Sequence, residues 1–235
     1  MQVISEWGLS GVKALIDRAE AFVVVDVLSF STCVDVACSN GAQVFPFPIH
    51  DREAAQQEAD RRNAELAGKR SDKTARFSLS APTLQSIPEG THLVLPSPNG
   101  SHISFAAKGK PVFAGCLRNA AAVAAEAMNT VGDGTLAVIP AGERWQDGSL
   151  RPAIEDLIGA GAVISALTGA LSPEAIVARD VFHSARRDLF DRLMLSVSGR
   201  ELCDRGFPQD VEIAAALNVS TCAPIMRQDV YTAVN

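Results

Sequence analysis

Apolar runs of strand length alternate with helical patterns over most of the chain. Phe22 to Leu28 (FVVVDVL) reads as a buried strand, with Ser29 or Ser31 capping a short helix that ends at Asn40-Gly41. Gln43 to Phe47 is a second strand, and Asp51 to Leu66 a polar, solvent-facing helix. His92 to Leu95, Val112 to Ala114 and Leu136 to Ile139 are three further short strands. Each is followed by a Gly- or Pro-containing turn and a helical segment such as Asn119 to Met128. This β-then-α alternation predicts an α/β fold of three layers, with helices on the faces of a parallel or mixed sheet. From Pro152 to about Leu217 the pattern is mostly helical, with breaks at Pro173 and Gly199. A strand pair, Cys222 to Met226 and Val230 to Val234, completes the fold. Ala67 to Ser80 is the least regular segment and reads as an exposed loop. No linker, repeat or low-complexity tract divides the chain, so a single domain over residues 1–235 is expected.

Length and composition narrow the function classes. At 235 residues the chain should bury roughly 70% of its unfolded surface, enough for a substantial core. A net charge of -6, with no basic run longer than Lys108 to Lys110, argues against a nucleic-acid partner. The apolar, charge-free stretch from Leu157 to Leu171 is interrupted by glycines and is shorter than the ~20 apolar residues a bilayer needs. It reads as a buried helix, or as a surface covered by a second copy in a homodimer. Five cysteines without a CxxC pair suit reduced thiols and a cytoplasmic location. His50, His92, His102 and His183 form no pair at metal-ligand spacing.

In open α/β sheets ligands collect beyond the carboxyl ends of the strands, so the residues there carry the chemistry. Asp26 closes an apolar strand; it is either a cap for the helix that follows or a ligand for Mg²⁺, which prefers carboxylate oxygens. The turn Ser97-Pro98-Asn99-Gly100-Ser101 leads into a helix, which makes it either a plain turn or an anion site built on free N–H groups, Ser97, Asn99 and Ser101. Gly115-Cys116-Leu117-Arg118-Asn119 offers Arg118 to a phosphate, and Cys116 as a buried structural thiol or a nucleophile. Glu143-Arg144 is a surface ion pair or a carboxylate and guanidinium brought to the same edge. Glu155 and Asp156 open an apolar helix, where they answer the helix dipole or reach a shared metal.

In this order the segments resemble the 2-phosphosulfolactate phosphatase family, Mg²⁺-dependent acid phosphatases of coenzyme M biosynthesis. Asp26-Val27-Leu28-Ser29-Phe30-Ser31-Thr32 is similar to the family's Asp-Val-Leu-Arg-Ala-Thr-Thr segment, and Ser97 to Ser101 to its Thr-Thr-Asn-Gly-Thr turn. Gly115 to Asn119 resembles Gly-Ser-Phe-Leu-Asn. Ala141-Gly142-Glu143, Glu155-Asp156 and Ala160-Gly161-Ala162 resemble the remaining motifs. Ser29 stands where the family has Arg, and Lys69, in Ala67-Gly68-Lys69-Arg70, where it has Glu.

The convergent strand ends and the resemblance together imply a Mg²⁺-dependent phosphatase acting on a small phosphate ester, 2-phosphosulfolactate or a related phospho-hydroxyacid. In that reading Asp26, Glu155 and Asp156 hold the metal, and Asp26, Arg118 and Glu143 are catalytic. Ser97, Asn99, Gly100, Ser101, Cys116 and Asn119 bind the phosphate. The alternative is a small-anion binding protein that has kept the pocket without the chemistry.

Overall fold

The computed structural model describes residues 1–48, 52–72 and 74–234. Strands run over Gln2–Ser5 (β1), Ala21–Val25 (β2), Gln43–Pro48 (β3), Glu65–Leu66 (β4), His92–Ser97 (β5) and Val112–Gly115 (β6). They continue over Thr135–Pro140 (β7), Glu143–Arg144 (β8), Leu150–Arg151 (β9), Ala170–Leu171 (β10), Pro224–Arg227 (β11) and Val230–Ala233 (β12). The helices before the last third are Gly8–Leu15 (α1), Phe30–Ser39 (α2), Arg52–Arg62 (α3), Gly100–Ala106 (α4) and Ala120–Val131 (α5). The last third supplies Ile154–Ser165 (α6), Pro173–Ala185 (α7), Leu189–Leu195 (α8), Val197–Asp204 (α9) and Pro208–Ala215 (α10). The α/β architecture with a helical final third is therefore the one the pattern predicts. Asp51, the expected start of the third helix, and His50 lie outside the described residues.

One mixed sheet has the order β10-β1-β7-β2-β6-β11-β12-β3-β5-β4, and β8 and β9 form a separate small hairpin. β10, β1, β7, β2 and β6 are mutually parallel, as are β3, β5 and β4. The hairpin β11–β12 joins the two blocks by antiparallel pairing to β6 and to β3. Side chains of β2 alternate between two cores, as a strand buried on both faces requires. Phe22 and Val24 enter the cluster with α1, α2 and α4, while Val23 and Val25 enter the one with α5, α6 and α7.

The sheet is rolled. β5 stands five positions from β2, about 24 Å in a flat sheet at ~4.8 Å per strand. Yet Gly100, just past β5, hydrogen-bonds to Asp26, just past β2. The concave face holds α2 and α4, and bringing these two strand ends together is what makes a site.

Three details depart from the sequence reading. The stretch from Leu157 to Leu171 is a helix only to Ser165; its end, Ala170–Leu171, is an edge strand. Gly169 makes this turn at φ +128, and a Cβ there would lie 2.4 Å from Met1 O. Most of α6 packs between α5 and α7 of its own chain, while Ile154 at its start is exposed. The Ala67-to-Ser80 segment is not simply exposed: Ala67, Phe77 and Ser78 are buried, with Gly68 bridged to Ser78. No helix among the described residues is long and apolar enough to cross a membrane.

Candidate active site

Asp26, Glu143, Glu155 and Asp156 gather where β2, the hairpin β8–β9 and the first turn of α6 meet. Asp26, Glu155 and Asp156 are each buried. Asp26 accepts the N–H of Phe30 through Oδ1 at 3.1 Å and that of Gly100 through Oδ2 at 2.9 Å. Burial nevertheless pushes its carboxyl up to about 6, with these two N–H bonds opposing and the charge of Glu155 adding to the rise. Glu143 is pushed up to about 7, again chiefly by burial and then by the charge of Asp26, although Asn99 Nδ2 donates to its Oε2 at 2.7 Å. The acids thus repel one another in a largely buried site, an arrangement typical of functional centres.

Asp156, expected to reach a metal, turns both carboxylate oxygens to backbone N–H groups. Its Oδ1 accepts the N–H of Val27 at 2.7 Å and its Oδ2 that of Gly142 at 2.9 Å. It therefore ties the loop after β2 to the loop after β7 and holds Asp26 and Glu143 in register. Its carboxyl is raised well above the ordinary range, first by burial and then by Asp26 and Glu155.

The Ser97-to-Ser101 turn lies at the site, and several of its donors are taken by protein acceptors. Gly100 N–H is taken by Asp26 and the Asn99 amide by Glu143. Ser101 Oγ donates to Leu95 O at 3.2 Å, and Ser97 Oγ accepts the Asn99 N–H at 3.4 Å. The turn orients carboxylates. Gly100 itself packs on Phe30, where a Cβ would come within 2.2 Å of the ring.

The third predicted segment turns away from the acids. Arg118 Nε donates to Asp35 Oδ2 at 2.8 Å, and Ser220 Oγ donates to the other oxygen at 2.6 Å. Asp35 is fully buried, so Arg118 is engaged in compensating it. Cys116 is buried with its thiol pushed up by desolvation, and its N–H and Sγ both reach Asn119 Oδ1. Asn119 also donates to Ala114 O at 3.1 Å. These two residues build a closed turn, and the nucleophile reading of Cys116 has no support.

The guanidinium beside Asp26 is Arg70. Its Nη2 donates to Ser29 Oγ at 2.8 Å and to Leu79 O, and Asp210 stands 3.6 Å away. Asp210 is held by Ser80 Oγ at 2.8 Å and by the N–H of Ala81 at 3.2 Å. A cation thus reaches position 29 although Ser29 supplies none. Sequence reasoning placed Arg70 on an exposed loop; its one signal was the Ala-Gly-Lys-Arg motif, which says nothing of where the loop folds.

Asp26, Glu143 and Glu155 offer only carboxylate oxygens, the donor set a hard divalent cation prefers, and their mutual repulsion is what such an ion would relieve. Among the described residues no three His, Cys, Asp or Glu side chains already surround one point. Mg²⁺ keeps several waters and binds through one or two carboxylates, so the donor set fits it.

A family model for 2-phosphosulpholactate phosphatase matches residues 12–229. The 2-phosphosulfolactate phosphatase of Methanothermobacter thermautotrophicus is 31% identical over 87% of this chain and 86% of its own length. The probable 2-phosphosulfolactate phosphatases of Carboxydothermus hydrogenoformans and Pseudothermotoga lettingae are 30% and 26% identical. They cover 87% and 91% of this chain, and 85% and 92% of their own lengths. With the family's segments arranged around Asp26 and its neighbouring acids, the chain belongs to the 2-phosphosulpholactate phosphatase family.

Proposed function

We propose that the protein hydrolyses a small anionic phosphomonoester, 2-phosphosulfolactate or a close phospho-hydroxyacid, to the alcohol and phosphate with the help of Mg²⁺. The observation that carries this reading is the group formed by buried Asp26 and Glu155 with half-buried Glu143 at the joined ends of β2 and β5. Asp26 and Glu155 would hold the ion, and a bound ion would neutralise charge developing on the phosphoryl oxygens. Arg70 stands beside Asp26 as the protein's own cation for the transferred group.

Glu143, with its carboxyl near 7, is suited to exchange a proton with the leaving oxygen or with water at neutral pH. Asn99 fixes its Oε2. Glu143 and Asn99 share a cavity of about 230 Å³ with Trp7, and Asp156 keeps the two acidic loops in place.

The test is phosphate release from 2-phosphosulfolactate and phospholactate, with Mg²⁺ and with EDTA. Chelator-sensitive release supports the reading. Calorimetric binding of an ester without any release would instead favour a non-catalytic anion-binding protein, the reading raised by Ser29 and Lys69.

A further inference from the structure

A second cavity, of about 390 Å³, lies on the other side of Arg70 near the ends of β3 and β5. Its character is opposite to that of the acidic centre. Phe47, Leu66 and Leu79 supply apolar walls, and Arg52, Lys69 and Arg70 supply three cations; no acid is among the described lining residues, although Asp72 stands 3.9 Å from Arg52. Its volume is that of about thirteen waters at ~30 Å³ each, room for an organic arm of several heavy atoms. Arg70 is common to both regions. Its Nη2 is held at Ser29, while its buried Nε makes no hydrogen bond among the described residues. A buried guanidinium N–H without an acceptor is costly unless a ligand supplies one.

We propose that this cavity receives the non-reacting end of the substrate, and that this end is a sulfonate head on a short apolar arm. The inference rests on the phosphatase reading and adds to it the residues that choose the substrate. With the phosphoryl group at Asp26, the arm passes Arg70 and the head meets Lys69 and Arg52. Three cations around apolar walls match such a molecule. A polyanion would need a longer basic track, which a chain of net charge -6 with a cavity of this size does not offer.

Lys69 is exposed, so Lys69→Glu reverses a charge without disturbing the core. The experiment compares kcat/KM for 2-phosphosulfolactate and for phospholactate, which lacks the sulfonate, in wild type and in Lys69→Glu. The expected result is a preference for the sulfonate ester that falls about tenfold in the variant, with a smaller fall in Arg52→Ala. Equal effects on both esters, or none on either, would overturn the proposal. Calorimetry with phosphate-free sulfolactate separates the two readings. If no ester is hydrolysed yet sulfolactate binds wild type and binds Lys69→Glu about tenfold more weakly, the phosphatase reading fails and the pocket stands. Sulfolactate that binds both proteins equally, or neither at millimolar concentration, removes the pocket.

Discussion

Gly100 donates its backbone N–H to Asp26 Oδ2 at 2.9 Å, a bond between residues 74 positions apart. It fastens the turn after β5 to the loop after β2 across the concave face of the rolled sheet. Because Asn99, the next residue back, holds Glu143, one short turn positions two of the acids at once.

Gly100→Ala should therefore damage both fold and site. The new Cβ would meet the Phe30 ring at 2.2 Å, a clash in a filled core that costs about 1–3 kcal/mol. Urea denaturation should show that loss, and Phe30→Leu in the same chain should recover part of it. A Gly100→Ala protein as stable as wild type would contradict the packing described.

Asp26→Asn keeps the shape of the side chain and removes its charge. Phosphate release should fall by at least about a hundredfold while the variant retains the near-ultraviolet dichroism of wild type. Undiminished Mg²⁺-dependent release would remove Asp26 from the chemistry.

The acids also set a pH dependence. The ordinary values for Asp26 and Glu143 are 3.8 and 4.5, and in the folded protein they rise to about 6 and about 7. The folded form thus binds protons that the unfolded chain has already released. This contribution to stability is full below about pH 4 and is lost as the pH rises through 6 to 7. Without divalent cation, the urea midpoint should be lower at pH 8 than at pH 5, and Mg²⁺ should recover more of it at pH 8. A midpoint that rises over this range in the metal-free protein would contradict the assignment.

Arg118→Ala should behave as a structural change. It leaves Asp35 fully buried without its cation, at a cost of about 3 kcal/mol. Thermal unfolding should report that loss, while turnover per folded molecule stays near wild type. Lost turnover in a protein of undiminished stability would return Arg118 to the catalytic group.

The strands were legible because each is an apolar run closed by a turn, and the polar residues after β2, β5 and β7 do converge. What sequence could not show is direction. The Asn99 and Gly100 donors look available along the chain, and only the rolled sheet turns them toward Glu143 and Asp26. Arg118 is similar: a cation at a strand end is visible, but its partner Asp35 lies on a different element. Arg70 was hidden for the converse reason, since an irregular segment has no periodicity to say which side it buries. β4, β8, β9 and β10 have two residues each, too few for a pattern to emerge.

The hairpin β11–β12 has a consequence for the order in which the molecule is made. Among the described residues it is the only strand pairing between the block containing β2 and the block containing β5, and it follows the other strands in the chain. A nascent chain that has emerged as far as α10 holds two sheets with open facing edges. Asp26 belongs to the first of these and Gly100 to the second. The acidic centre therefore reaches its final geometry late in synthesis, and until then those two edges are the parts of the chain most in need of protection from other strands.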